Sequence, residues 1–148
     1  MDKFMRAAVD QAEMGLQEGG IPIGAALVLG GEVVALGHNR RVQERNRVLH
    51  AEIDCFRNAG LEVGVRGATL YSTLMPCYFC AGAAVQFGIA KVVAGESVTF
   101  SGGRDLLEAH GIEVADLGLS TCVSMMTAFI EQNRELWHRD IGADDHAG

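Results

Sequence analysis

Positions Phe4, Ala7, Ala8, Gln11, Ala12, Gly15 and Leu16 trace one face of a helix, and Gly19-Gly20 ends it. Two short apolar runs follow, 24–29 and 32–37, joined by Gly30-Gly31, a two-residue hairpin signal. The pattern then alternates. Residues 50–59 read as a helix, 68–72 as a strand, 77–87 as a helix and 91–95 as a strand. A short helix is expected at 105–110, a strand at 112–115 and a long helix at 120–133. Strand and helix alternating after one hairpin predict a three-layer α/β/α fold, its central five-stranded sheet mostly parallel behind an antiparallel start.

A chain of 148 residues with no repeat or linker composition is expected to form one domain, 1–148, and 49% hydrophobic with 21% charged residues is ordinary for a globular protein. Net charge changes the picture more. At −7, from 12 Lys and Arg against 19 Asp and Glu, the chain is poorly suited to a polyanionic partner, so no nucleic-acid partner is expected. The one basic cluster, Arg40, Arg41, Arg45 and Arg47, reads as a solvated loop leading into the next helix. No apolar run is long enough for a membrane span, and no membrane partner is expected. Four cysteines behind a start that does not resemble a signal sequence predict a cytoplasmic protein with reduced thiols.

The chemistry is concentrated in His50-Ala51-Glu52 and Pro76-Cys77-Tyr78-Phe79-Cys80. Three zinc ligands with one coordination position left for water make a hydrolytic site, whereas a structural site closes all four positions with protein groups. Cys77 and Cys80, three apart, share a helix face, and Pro76 fits a first helical turn. His50 and Glu52 are about 200° apart on a helix. They converge only if the metal lies off the helix end, so two helix N-termini should meet at one ion, whose dipoles favour the thiolate form. Each part has a plainer reading: Cys-x-x-Cys as a redox pair or half a structural knuckle, His-x-Glu as chance, Glu52 as a surface carboxylate. Cys55 and Cys122 read as small core hydrophobes.

The His-x-Glu and Pro-Cys-x-x-Cys spacing is the signature of zinc nucleobase deaminases. Around it, Gly20-Ile21-Pro22-Ile23-Gly24, Gly37-His38-Asn39, Thr69-Leu70-Tyr71-Ser72-Thr73-Leu74, Ala94-Gly95-Glu96 and Trp137-His138-Arg139-Asp140-Ile141-Gly142 resemble the yeast-type zinc cytosine deaminases of the cytidine/deoxycytidylate deaminase superfamily. The likeness runs from the first helix almost to the C-terminus; that to bacterial tRNA adenosine deaminases is looser and mainly in the catalytic core. The resemblance implies a cytosolic homodimer with one zinc per subunit, acting on a free base. It implies that Asn39 and the backbone N–H of Ala51 hold the pyrimidine, that Asp140 accepts from the amine that leaves, and that Ile23, Phe100 and Trp137 form apolar walls. Asn39 as a turn residue and Trp137 as plain core are the alternatives.

Two departures bear on the substrate. Met75 stands where yeast-type enzymes have Ser and many other deaminases Glu, and Phe79 is larger than the usual residue between the cysteines; both are expected near the pocket. Apolar differences in a pocket discriminate by only about 1–3 kcal/mol, so 5-methylcytosine, isocytosine, creatinine and guanine stand beside cytosine. The expected reaction is hydrolysis of cytosine to uracil and ammonia by zinc-activated water, with Glu52 shuttling protons. A noncatalytic zinc-binding module, in which Glu52 has no role, and a tRNA or nucleic-acid-editing deaminase, which needs a basic channel, are the rival readings.

Overall fold

The computed structural model describes residues 1–142, so the last six residues of the expected 1–148 domain lie outside the described residues. In chain order the elements are α1 (Lys3–Gln17), β1 (Gly24–Leu29), β2 (Glu32–His38), α2 (Ala51–Ala59), β3 (Thr69–Ser72) and α3 (Tyr78–Phe87). Then come β4 (Lys91–Ala94), α4 (Arg104–Ala109), β5 (Glu113–Asp116), α5 (Ser120–Gln132) and α6 (Arg134–Asp140). The five strands form one sheet in the order β2-β1-β3-β4-β5. β1 is antiparallel to both neighbours, and the β3–β4 and β4–β5 pairs are parallel. Four of the five strands therefore point the same way, in keeping with the expected mostly parallel sheet.

Side chains alternate across this sheet as strand geometry requires. Ala25, Leu27, Leu70 and Val92 face the layer carrying Cys55 and Ala59 of α2, Ala81 and Ala84 of α3 and Leu107 of α4. Ala26 and Val93 face Met5, Ala8 and Val9 of α1 and Cys122 of α5. Cys55 and Cys122 are both buried, and burial raises their thiols to about 12 and about 11, which fits the reading of them as core residues.

Two glycines set how closely the layers meet. A Cβ at Gly24 would collide with the Ala8 carbonyl of α1, and one at Gly37 with the backbone of Cys55 in α2. Helix and strand touch there backbone to backbone. Asp54, fully buried on α2, supplies the polar counterpart: it accepts from the His38 N–H at 3.0 Å, from Arg40 Nε at 3.0 Å and from Arg57 Nη2 at 2.7 Å. Burial opposes its charge, yet these donors hold the carboxyl below its ordinary value, so α2 is fixed in rotation against β2.

Two expectations change here. Arg40 is not simply solvated, because it pairs with Asp54. Pro76 does not occupy the first turn of α3, because Cys77 is the N-cap and Pro76 precedes it. The segment with Trp137 and Asp140 is the short helix α6, with Glu135 and Arg139 paired one turn apart at 2.6 Å.

Candidate active site

Because β2, β3 and β4 share a direction, their carboxyl ends lie together, and in open α/β sheets that is where ligands bind. β2 leads out to Asn39, β3 to Met75 and Cys77, and β4 to Glu96 and Phe100. His50 is the N-cap of α2 and Cys77 that of α3, both in extended backbone, with Cys80 in the first turn of α3. Two helix N-termini thus meet.

The ligand atoms of His50, Cys77 and Cys80 all lie within 4.8 Å of one another, and Cys77 Sγ is 3.4 Å from His50 Nδ1. With zinc–ligand lengths of about 2.0–2.3 Å, the edge of a tetrahedral site is roughly 3.3–3.8 Å, so the donors present fit zinc in number, type and spacing. They also compete for protons as a ligand set does. The Cys80 thiol and, secondarily, His50 lower Cys77 to about 4 against its burial, while Cys80, hydrogen-bonded to Cys77 and buried, rises well above the ordinary thiol range. Burial works against charge on His50, but Cys77, Glu52 and Asp140 raise it to about 9. A divalent cation relieves this competition by displacing the protons.

Glu52 is 4% exposed, and burial first, then the Cys77 thiolate, raise it to about 7. A carboxyl poised near neutrality can take up and return a proton, as a general acid-base group must.

A narrow cavity of about 30 Å³ adjoins these groups, lined by Ile23, Asn39, His50, Ala51, Glu52, Leu74, Met75, Cys77, Phe100, Trp137, Asp140 and Ile141. Ile23, Asn39, Ala51, Met75, Phe100, Trp137 and Asp140, named from the sequence, are among them, and Phe79 is not. Phe100 and Trp137 meet edge to face, with ring centroids 6.2 Å apart. Ala51 is the first residue of α2, where a backbone N–H has no partner within the helix. Asn39 is buried and lines the cavity, and its Oδ1 accepts the Arg41 N–H at 3.0 Å in a turn, the geometry of its alternative reading. Phe79 departs from expectation. It is 49% exposed, packs edge-on against the His50 ring at 5.6 Å, and faces a different groove.

Sequence reasoning missed two residues that shape the site. Glu96 is fully buried, accepts from Val98 N–H at 2.7 Å, Thr99 N–H at 3.0 Å and the Thr99 hydroxyl, and so holds the loop that delivers Phe100. Its carbonyl accepts from the Met75 N–H at 2.9 Å, anchoring a second wall. Arg41, expected in solvent, instead reaches Asp140, Nη1 to Oδ1 3.6 Å.

Residues 1–96 match the cytidine and deoxycytidylate deaminase zinc-binding region. The chain belongs to that family. As a cytidine/deoxycytidylate deaminase family member it is a zinc-dependent hydrolase, and the donor set above fits that metal. It is 39% identical over 143 residues to a cytosine deaminase of Candida albicans, covering 95% of each chain. It is 34% identical over 145 residues to a tRNA-specific adenosine deaminase of Streptococcus pyogenes, covering 89% of this chain and 91% of that one. That likeness extends well beyond the catalytic core to which the sequence motifs confined it. The fold is shared with a guanine deaminase from Nitrosomonas europaea, with a TM-score of 0.74 at 24% identity over 85% of this chain and 82% of that one.

Proposed function

We propose that this deaminase acts on a free nucleobase, converting cytosine and water to uracil and ammonia. The observation that carries the reading is Asp140. Its side chain is only 4% exposed, it faces the cavity, and its Oδ1 has no hydrogen-bond partner. A buried acceptor left unpaired is costly, and the exocyclic amine of a bound base would satisfy it.

The remaining roles follow from position. His50, Cys77 and Cys80 would hold zinc, which when bound supplies the Lewis acidity that lowers the pKa of water from about 15.7 toward about 7. Glu52 takes one proton from that water and delivers it to ring N3, then passes the second to the departing amine. The water oxygen becomes the uracil carbonyl and both its protons are accounted for. Ala51 N–H holds the ring carbonyl, and the Asn39 amide, with one acceptor lone pair already committed to Arg41, offers its NH₂ group and remaining lone pair to the ring edge. Phe100 and Trp137 cover the ring and exclude water, Ile23 and Met75 being the other apolar walls.

The Streptococcus pyogenes relative's extent of similarity favours, as a second reading, action on a nucleic-acid adenosine. The charge of −7 and the aromatic cover over the cavity weigh against it. One experiment separates these: ammonia release from the zinc-loaded protein with cytosine, 5-methylcytosine, isocytosine, creatinine, guanine, cytidine and a tRNA anticodon stem. Cytosine is expected to be preferred over cytidine by a wide margin, with one zinc per chain. Comparable turnover of the two would contradict the closed pocket, and turnover of the stem alone would replace the reading.

No helix among the described residues is long and apolar enough to cross a membrane. A cytoplasmic setting accords with four free cysteines. We also propose a homodimer formed on the groove of about 620 Å³ between α2 and α3. Leu61 is fully exposed there, with Phe79 at 49% and Phe87 at 42%, so three large apolar side chains meet solvent around one groove. On α5, Cys122, Met126 and Phe129 are buried in the chain's own core and add nothing to this groove. Sedimentation at micromolar concentration should give twice the 15.8 kDa chain mass, and a monomer would refute the interface.

A further inference from the structure

Arg41 lies in the connection between β2 and α2, its side chain 21% exposed. Two of its groups act in different directions. Its backbone N–H donates to Asn39 Oδ1 at 3.0 Å, which turns the amide NH₂ away from that turn. Its guanidinium sits 3.6 Å from Asp140 Oδ1 at the end of α6. That separation is within ion-pair range but long, and beyond hydrogen-bond reach, so the guanidinium counters the charge of Asp140 while Oδ1 keeps its lone pairs. Asp140 and Arg41 are far apart in sequence, and α6 carries Trp137, the aromatic cover of the cavity.

We propose that Arg41 is a positioning residue that latches α6 over the cavity, its guanidinium holding Asp140 while its backbone N–H holds Asn39. One residue thereby sets both polar groups that face the base. The catalytic consequence rests on the nucleobase reading above; the latch itself does not. When the pair is formed, Trp137 is seated against Phe100. When it is broken, α6 keeps only the Asn39 side chain as a polar tie from the β2–α2 connection to Asp140, and the aromatic cover loosens. Lys in place of Arg keeps the charge but loses the planar fork, so it should hold the latch partly.

Trp137 is the sole tryptophan, which makes its fluorescence a direct reading of α6. The zinc-loaded full chain would be compared as wild type, Arg41→Gln, Arg41→Lys, Asp140→Asn and the Gln/Asn double variant, by acrylamide quenching and by cytosine kinetics. Arg41→Gln should make Trp137 more accessible to quencher and raise KM by roughly three- to tenfold, between exposed and buried ion-pair values. Arg41→Lys should recover part of both. In the double variant, quenching should match Asp140→Asn alone, since both changes break one link. The proposal is overturned if Arg41→Gln leaves quenching unchanged, or if the two substitutions add independently. Should Arg41→Gln fail to fold, Arg41→Lys and its double with Asp140→Asn give the same comparison. If no base is turned over, the nucleobase reading fails while the quenching series still decides the latch.

Discussion

Glu52→Gln is expected to retain zinc and fold but to lose roughly 10² to 10⁴ in kcat, the usual contribution of a general acid-base group. The amide is close in shape to the carboxylate, so the buried space it fills is unchanged. It cannot carry a proton between water, ring nitrogen and amine. The wild-type carboxyl, lifted to about 7 by its burial and by Cys77, is suited to doing both halves of that transfer at neutral pH. Metal content, circular dichroism and single-turnover rates on cytosine measure the three parts separately. Near-normal turnover with intact zinc would reduce Glu52 to a structural part.

The second large effect concerns Asp140→Ala. The amine gains charge as it leaves, so a hydrogen bond to the carboxylate should strengthen in the transition state, and its loss should lower kcat as well as raise KM. Hydrogen bonds to charged groups contribute about 1.5–3 kcal/mol, which corresponds to roughly 10- to 150-fold. Burial raises the carboxyl above its usual range, and His50 and Arg41 oppose this. A folded, zinc-loaded Asp140→Ala protein that deaminates cytosine at the original rate would remove the narrowest support for the substrate assignment.

Much of this site was legible because its determinants are local. Cys77 and Cys80 declare their shared helix face by spacing alone, and His50 and Glu52 could converge only off a helix end, which is where α2 begins. The hairpin was legible in Gly30-Gly31, since both residues have positive φ, at 61° and 78°. Other features have no local signature. Arg41 meets a carboxylate contributed by the far end of the chain, and nothing in the periodicity of residues 40–47 distinguishes it from the exposed Arg45 and Arg47. Glu96 spends its carboxylate on its own loop, a use that leaves no pattern. α6 is seven residues long with Trp137 its one buried apolar residue, too short for an amphipathic stripe to stand out. Phe79 was misplaced because sitting between two ligands in sequence suggested proximity to the pocket; one step before Cys80 is about 100° around the helix.

The contacts at Gly24 and Gly37 bear on how such a chain can change over evolutionary time. Where a helix backbone rests directly on a strand backbone there is no side chain to exchange, and so no graded way to raise, lower or tilt α1 or α2. The height of Glu52 above the sheet is inherited as a fixed dimension. Variation can instead accumulate in side chains that wall the cavity without carrying the frame, Met75 and Phe100 among them. Descendants of this chain would therefore be expected to diversify in which ring they accept while keeping the same proton-transfer geometry.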